Sequence, residues 1–156
     1  MRIEKPRRAT RRYTQKLAAP AAAVAPLLCP VREADWIEGW DPALVVSESG
    51  AVEDDCVFVT GAGAQQAVWY VTRHDARAGF VEMVKITPGV TACRLDIRLR
   101  DAPGGCEAEV TYSHTSLGPE GDAFVAGFTE AYYETFMRDW EKRLNHYLLT
   151  GKRLSA

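Results

Sequence analysis

The longest continuous pattern in the sequence is helical and runs from Gly118 to Thr150. Large apolar residues recur at every fourth position, at Phe124, Phe128, Tyr132, Phe136, Trp140, Leu144 and Leu148. Because an α-helix turns once in about 3.6 residues, this spacing gives a stripe that winds slowly around the helix. The pattern predicts one long helix whose two halves face different neighbours. Most of its aromatic residues should pack in the core, while Phe128 and Tyr132 are expected to cover a cavity.

The chain before this helix is dominated by short runs of strand-forming residues. Residues 7–17 predict a first strand, and residues 21–28 and 31–37 predict two short helices or turns. Further strands are predicted at residues 44–48, 56–60, 67–73, 80–87, 93–100 and 107–114. The predicted fold class is α+β, a curved antiparallel sheet of six to seven strands with the long C-terminal helix across it. One helix cannot fill a strongly curved sheet, so an internal cavity is expected.

Residues 93–100 alternate between apolar and charged side chains, which is typical of a strand with one buried face. Pairing Asp101 with Cys106 across the turn at 102–105 gives a register for the next strand. On the solvent-exposed face this register predicts the pairs Arg98–Glu109 and Arg100–Glu107. On the buried side it predicts the pairs Leu99–Ala108, Ile97–Val110, Leu95–Tyr112 and Cys93–His114. Opposite charges outside and mostly apolar pairs inside support this register.

The preceding hairpin, around Pro88-Gly89, has two possible registers. A tight two-residue turn places Glu82 and Phe80 on the inner face of the sheet. One extra residue at the turn would instead send Lys85 and Met83 inward and Glu82 to solvent. We adopt the first register for the site prediction, so Glu82 is expected to face the cavity.

Length and composition indicate an ordinary globular protein, interpreted as a single domain over residues 1–156. The net charge is −2, although residues 1–16 hold seven Lys/Arg and one Glu. Such a basic arm is most often solvated, so no nucleic-acid partner is predicted. No apolar run is long enough to span a membrane and no signal-peptide pattern is present. A cytoplasmic protein without integral membrane contact is therefore expected.

Cysteine and histidine positions argue against a metal site. The four cysteines show no C-x-x-C spacing and are expected to be reduced thiols, and the three histidines are scattered. The sequence also lacks the glycine patterns that bind phosphates or dinucleotides and the G-x-S-x-G nucleophile motif. It therefore predicts no metal and no cofactor.

Two stretches, residues 28–40 (LCPVREADWIEGW) and 113–121 (SHTSLGPEG), together with the order of elements, resemble the START-like (SRPBCC) helix-grip superfamily. That superfamily includes birch-pollen-allergen-type proteins, polyketide cyclases/aromatases and lipid-transfer domains. The likeness is to its small bacterial members of the polyketide-cyclase/dehydrase type, and it covers nearly the whole chain after residue 10. The resemblance implies an apolar cavity that binds a lipid, a polyketide or another hydrophobic small molecule, in a monomer or homodimer. It assigns no catalytic role to the residues of either stretch.

The candidate ligand-binding residues combine the helix stripe, the inner strand faces and one tryptophan of the first stretch. Trp69 and Tyr70 are both included, because the sequence leaves open which of them faces inward. The set is Trp36, Trp69, Tyr70, Phe80, Glu82, Leu95, Ile97, Tyr112, His114, Phe124, Phe128, Tyr132 and Phe136.

The favoured function is binding or transport of a hydrophobic small molecule in this cavity. The alternative is a polyketide cyclase/dehydratase-like enzyme, with Glu82, Tyr112 and His114 as candidate acid–base residues. A carboxylate in an apolar cavity has a raised pKa and a histidine titrates near neutrality, so these groups could exchange protons with a substrate. A third class is a protein-interaction module that uses the basic arm or an exposed sheet face. The sequence leaves open whether the chain is an enzyme.

Overall fold

Seven antiparallel strands form one continuous curved sheet, and the C-terminal helix lies against its inner face. The structure, a computed structural model, describes residues 1–155. The strands are β1 (Arg8–Leu17), β2 (Leu44–Val46), β3 (Val57–Thr60), β4 (Ala67–Asp75), β5 (Phe80–Thr87), β6 (Thr91–Ala102) and β7 (Gly105–Ser116). The α-helices are α1 (Ala21–Val24), α2 (Pro119–Gly127) and α3 (Glu130–Thr150). Two 3-10 turns, Ala25–Leu27 and Arg32–Asp35, follow α1.

The order of strands in the sheet is β1-β7-β6-β5-β4-β3-β2. Strands β2 to β7 are therefore neighbours in both sequence and space, as a meander requires, while β1 closes on β7. The α+β arrangement predicted from the sequence is confirmed, with seven strands, short helical segments after β1 and a long helix at the C-terminus. Of the basic residues in β1, Arg8, Arg12 and Lys16 lie on the exposed face, whereas Arg11 lies on the face toward the helices and donates from Nε to the Phe128 carbonyl at 3.0 Å.

The helix predicted from Gly118 to Thr150 is in fact two helices, separated at Phe128 and Thr129. Phe128 leaves the helical conformation, with φ −81° and ψ 62°. Thr129 is extended, and its Oγ1 accepts a hydrogen bond from the Tyr132 N–H at 3.2 Å, so it caps α3. The prediction of one helix was wrong because the four-residue apolar period continues through the break.

α3 is fixed to the sheet by buried residues and by a small number of side-chain hydrogen bonds. Tyr133, Met137 and Leu144 are its buried residues. The Tyr133 hydroxyl donates to the Val110 carbonyl of β7 at 2.6 Å. Gln15 of β1 is also buried and donates from Nε2 to the Met137 carbonyl at 3.1 Å. These contacts hold one face of α3 on the β1–β7 side of the sheet.

The predicted register between β6 and β7 is confirmed for every pair, including Asp101 with Cys106. Arg100 Nη2 lies 2.5 Å from Glu107 Oε2, so this cross-strand ion pair forms as expected. The second predicted ion pair does not form, although its residues face each other. Arg98 lies over the Phe80 ring and 3.6 Å from Asp96, while Glu109 lies 3.8 Å from an arginine of β1.

The register between β5 and β6 contradicts the prediction for Glu82. Thr87 pairs with Thr91, which leaves Pro88, Gly89 and Val90 in the loop instead of two residues. Gly89 takes a positive φ of 73°, which suits glycine at this turn position. Val90 is the extra residue, and its carbonyl accepts a hydrogen bond from the Leu117 N–H at 2.9 Å. The added residue exchanges the two faces of β5.

As a result, Glu82 pairs with Asp96 and lies on the outer face of the sheet. There its Oε1 accepts a hydrogen bond from the hydroxyl of Thr72 at 2.8 Å. Lys85 and Met83 point inward in its place, opposite Cys93 and Leu95. Helix α2 packs closely against this loop. A side chain at Gly121 of α2 would clash with the Val90 carbonyl oxygen, so the contact requires glycine.

The sequence left open which face of β4 points inward, and the burial of its side chains decides this. Trp69 and Val71 face inward, while Tyr70 is exposed and donates its hydroxyl hydrogen bond to Asp55 at 2.7 Å. Phe80, predicted to face the cavity, lies on the outer face, where the guanidinium groups of Arg73 and Arg98 approach its ring. Tyr70 and Phe80 therefore lie on the opposite side of the sheet from α3.

Candidate functional site

A cavity of about 370 Å³ lies between the inner face of the sheet, the segment after α1 and the two C-terminal helices. The segment after α1 contributes Leu28, Pro30, Glu33, Ile37 and Trp40. The sheet contributes Phe58, Trp69, Met83, Lys85, Leu95, Ile97, Tyr112 and His114. The helices α2 and α3 and their junction contribute Phe124, Phe128, Tyr132, Phe136 and Trp140.

The cover of the cavity is a chain of aromatic side chains. The Phe124 and Phe128 rings stack with centroids 5.8 Å apart, and Tyr132 lies a further 5.8 Å from Phe128. Phe128 also contacts the ring of His114 edge to face at 4.6 Å. Because the helix breaks at Phe128, its ring is turned into the core and is only 4% exposed, whereas Tyr132 is 56% exposed. The cover therefore has an anchored residue and a residue at the surface.

The segment from Leu28 to Trp40 forms one end of the cavity and is tied down by its tryptophans. Trp40 Nε1 donates to the Pro30 carbonyl at 2.7 Å, and Trp36 Nε1 donates to the Leu27 carbonyl at 3.0 Å. Trp40 thus bonds to the backbone of its own segment, and Trp36 bonds to the backbone of the 3-10 turn just before it. Trp36 is fully buried and is absent from the cavity wall, while Trp40 lines it.

Glu33 is the acidic residue of the cavity wall. Its carboxyl group makes no hydrogen bond or ion pair with another of residues 1–155. Burial raises the pKa of this carboxyl to about 8. At neutral pH the group is therefore mainly protonated and can donate one hydrogen bond to a molecule in the cavity.

Tyr112 and His114 are successive inward residues of β7. Their rings are stacked with centroids 5.8 Å apart. Burial raises the pKa of the Tyr112 hydroxyl well above its ordinary value, and Cys93, Tyr133 and Glu33 add smaller effects in the same direction. Burial, with a smaller effect of Lys85, lowers the pKa of His114 to about 4, so its imidazole is neutral at pH 7. Cys93, whose Sγ lies 3.7 Å from His114 Nε2, has a pKa raised by burial to about 12.

Lys85 is the basic residue of the cavity wall. Its Nζ lies 4.9 Å from the centre of the Trp69 ring, an arrangement that favours a cation over the aromatic face. Trp69 is held in place by stacking on Phe58 at 5.1 Å and by donating from Nε1 to Thr60 Oγ1 at 2.9 Å. Burial lowers the pKa of the Lys85 ammonium group.

The structure brings most of the predicted site residues together around this cavity. Those lining it are Trp69, Leu95, Ile97, Tyr112, His114, Phe124, Phe128, Tyr132 and Phe136. Four predicted residues lie elsewhere. Tyr70, Phe80 and Glu82 are on the outer face of the sheet, because of the registers described above, and Trp36 packs within the core.

Half of the cavity wall was missed by the sequence prediction. These residues are Leu28, Pro30, Glu33, Ile37, Trp40, Phe58, Met83, Lys85 and Trp140. Met83 and Lys85 were available in the alternative register that was set aside. The residues from Leu28 to Trp40 lie in the stretch that carries the family resemblance. That segment shows neither the helical nor the strand spacing of apolar residues, so the sequence does not indicate which of its side chains point inward.

No cluster of three or more His, Cys, Asp or Glu residues within residues 1–155 is arranged to hold a metal ion. Over the same range, no helix has both the length and the apolarity that crossing a membrane requires. All four cysteines, at positions 29, 56, 93 and 106, are free thiols, as predicted.

No protein-family model matches the sequence. No curated protein matches it either. Solved structures do match, and they show what fold this is. Norcoclaurine synthase from Thalictrum flavum, in complex with dopamine and hydroxybenzaldehyde, has a TM-score of 0.65 at 12% identity over 94% of this chain and 90% of its own. CalU16 from Micromonospora echinospora has a TM-score of 0.61 at 15% identity over 96% of this chain and 86% of its own.

A third match is DynU16, a protein of the dynemicin biosynthetic locus, with a TM-score of 0.60 at 20% identity over 92% of this chain. This chain spans only 48% of the length of DynU16. At these identities the likeness concerns the fold alone. The chain has the helix-grip fold of START-like (SRPBCC) proteins, as the sequence resemblance implied.

Proposed function

We propose that this protein binds a hydrophobic small molecule, a lipid, a polyketide or an aromatic metabolite, in the cavity between the sheet and the C-terminal helices. The observation that carries the proposal is a partly enclosed space of about 370 Å³ whose walls are mainly aromatic and aliphatic. Pockets for small organic molecules typically measure about 300–1,000 Å³. The cavity falls at the lower end of this range, which suits a compact aromatic or short polyketide skeleton.

The aromatic cover supports a binding role over simple core packing. A core that served stability alone would be filled to a density of about 0.74, with few voids larger than a water molecule. Here the rings of the cover contact one another and also border an unfilled space of about 370 Å³. The fold neighbours are consistent with this reading, since one of them was solved with dopamine and hydroxybenzaldehyde.

Titration with an uncharged fluorescent probe, N-phenylnaphthylamine, tests the proposal. Met83→Trp would place a bulky indole ring in the cavity, whereas Val84→Trp would place the same ring on the outer face of the same strand. We expect saturable probe binding by the wild type and by Val84→Trp, and strongly weakened binding by Met83→Trp. Equal binding by all three proteins, or none by the wild type, would contradict the proposal. Native mass spectrometry of protein purified from its host would reveal a retained ligand.

A second candidate function, a polyketide cyclase/dehydratase-like enzyme, is favoured by one observation. Glu33 has an unpaired carboxyl group in the cavity, near Tyr112, and a pKa raised by burial to about 8. We propose Glu33 for the acid–base role that the sequence assigned to Glu82. Such a group gains or loses its proton near the working pH, as general acid–base chemistry requires.

Hydrogen–deuterium exchange next to the carbonyl group of β-tetralone, followed by mass spectrometry, tests this second function. The ionised carboxylate would be the base, so we expect the protein-dependent exchange rate to rise with pH through about 8. Glu33→Gln should abolish it, while Glu82→Gln, on the outer face, should leave it unchanged. Exchange that is equal with and without the protein would leave the binder as the sole proposal.

A further inference from the structure

We propose that the ligand of this cavity carries an acidic group and that the ammonium group of Lys85 binds it. The inference rests on the proposed binding function and adds the ligand's charge to it. The feature behind it is a lysine that points into an apolar cavity and has no anionic partner in the described chain.

The position of Lys85 is determined by three strands. It faces inward from β5, with Trp69 of β4 on one side and Cys93 of β6 on the other. Its Nζ lies over the Trp69 ring, so the side chain is directed along the cavity wall. Among residues 1–155 no carboxylate lies within ion-pair distance of it.

The titratable groups that face Lys85 supply no negative charge at neutral pH. Cys93 of β6 holds its proton, because burial raises its pKa to about 12. His114 of β7 is neutral, since its pKa is about 4. Glu33, across the cavity, is mainly protonated, and burial alone causes its shift, with no compensation from Lys85.

An ammonium group without a counter-ion in such surroundings carries a desolvation cost that the face of one tryptophan offsets only in part. An anionic group on the ligand would remove that cost on binding. It would also receive a charge-assisted hydrogen bond, which is stronger than a neutral one. The apolar body of the ligand would then lie under the aromatic cover, with its acidic end toward β5.

Two dyes with the same aromatic skeleton test this inference. Anilinonaphthalene sulfonate carries one negative charge, and N-phenylnaphthylamine carries none. For Lys85→Met we expect the affinity for the sulfonate to fall at least about tenfold and the affinity for the uncharged dye to change less than about threefold. Lys85→Arg should retain most of the sulfonate affinity, and Lys142→Met, at an exposed position of α3, should retain all of it.

The outcomes separate the two proposals. If the wild type binds neither dye, the binding function itself fails. If the uncharged dye binds but the sulfonate affinity is the same in wild type and Lys85→Met, or both affinities fall together, the role of Lys85 is overturned.

A measurement on the wild type covers the case in which Lys85→Met does not fold. Carbon-13 NMR of the lysine side chains should show the pKa of Lys85 rising when the sulfonate binds and staying lower with the uncharged dye. An equal pKa in both complexes would overturn the inference.

Discussion

Trp36 and Trp140 meet edge to face, with ring centroids 5.3 Å apart and ring planes inclined by 74°. The contact joins the irregular segment after α1 to the middle of α3. Trp36 is fully buried, and its Nε1 is bonded to the Leu27 carbonyl. It therefore determines where the end wall of the cavity stands relative to its cover.

Removing the Trp36 ring should be costly, because a filled core position becomes a void. We expect Trp36→Ala to lower the free energy of unfolding by ~3–5 kcal/mol, measured by urea denaturation. Trp40→Ala, at the half-buried tryptophan that borders the cavity, should cost less. A loss below ~1 kcal/mol for Trp36→Ala would mean that this contact does not support the fold.

Glu33 should make the stability of the protein depend on pH. Its folded pKa, about 8, lies above its ordinary value of 4.5. The native state therefore holds the proton more tightly than the unfolded chain. The stability associated with the neutral carboxyl is complete below about pH 4.5 and is lost as the pH rises through about 8.

Chemical denaturation at a series of pH values checks this dependence, using Glu33→Gln and the exposed Glu48→Gln as a control. We expect Glu33→Gln to be more stable than the wild type at high pH, by about 1.4 kcal/mol for each unit of pKa shift as an upper bound. His114 acts in the opposite direction, since its lowered pKa removes stability as the pH falls from 6.5 through about 4. That effect is shared by the wild type and Glu33→Gln, so their difference isolates Glu33. Parallel pH profiles for the wild type and Glu33→Gln would contradict the raised pKa of Glu33.

Leu144 and Tyr132 should separate stability from binding within the C-terminal helices. Leu144 is 1% exposed, whereas Tyr132 is 56% exposed and borders the cavity. We expect Leu144→Ala to cost ~2–5 kcal/mol of stability and Tyr132→Ala less than ~1 kcal/mol. Binding of N-phenylnaphthylamine should be weakened by Tyr132→Ala and preserved in folded Leu144→Ala. The reverse pattern would show that the cover has been assigned to the wrong residues.

The four thiols should react slowly in the folded protein and readily after unfolding. All four are buried, and burial raises the pKa of Cys93 to about 12. Since the thiolate is the reactive form, little of it is present or accessible at pH 8. A thiol-disulfide reagent such as Ellman's should release close to four equivalents in guanidinium chloride and far less in buffer over the same time. A rapid burst from the native protein would contradict this burial.

The parts of the fold that were predictable are those in which local pattern and pairing agree. β6 and β7 are long, their charges alternate with apolar residues, and the turn length fits the pairing of Asp101 with Cys106. A shift by one residue would have buried Arg98 and Arg100 together, so the sequence allows only one answer. The same reasoning could not detect the helix break, because Phe128 satisfies the apolar period on both sides of it.

The candidate site was only partly predictable, because β5 has no purely apolar face. Its inner face includes Lys85, its outer face includes Glu82, and both faces contain large apolar residues. Alternation therefore cannot choose between the registers. Glu33 was missed for a different reason, since it lies in a short 3-10 turn where spacing says nothing about direction.

The loop residue Val90 has a consequence for how proteins of this shape could diverge. Because one added residue in the turn exchanges the faces of β5, turn length determines which charge that strand presents to the cavity. With Val90 in the loop the interior receives a lysine; with a two-residue turn it would receive a glutamate. An insertion or deletion at a surface hairpin, with every residue of the strand unchanged, could thus reverse the polarity of ligand that the interior selects. In such a lineage, gaps at this turn would predict ligand charge better than substitutions in the cavity wall.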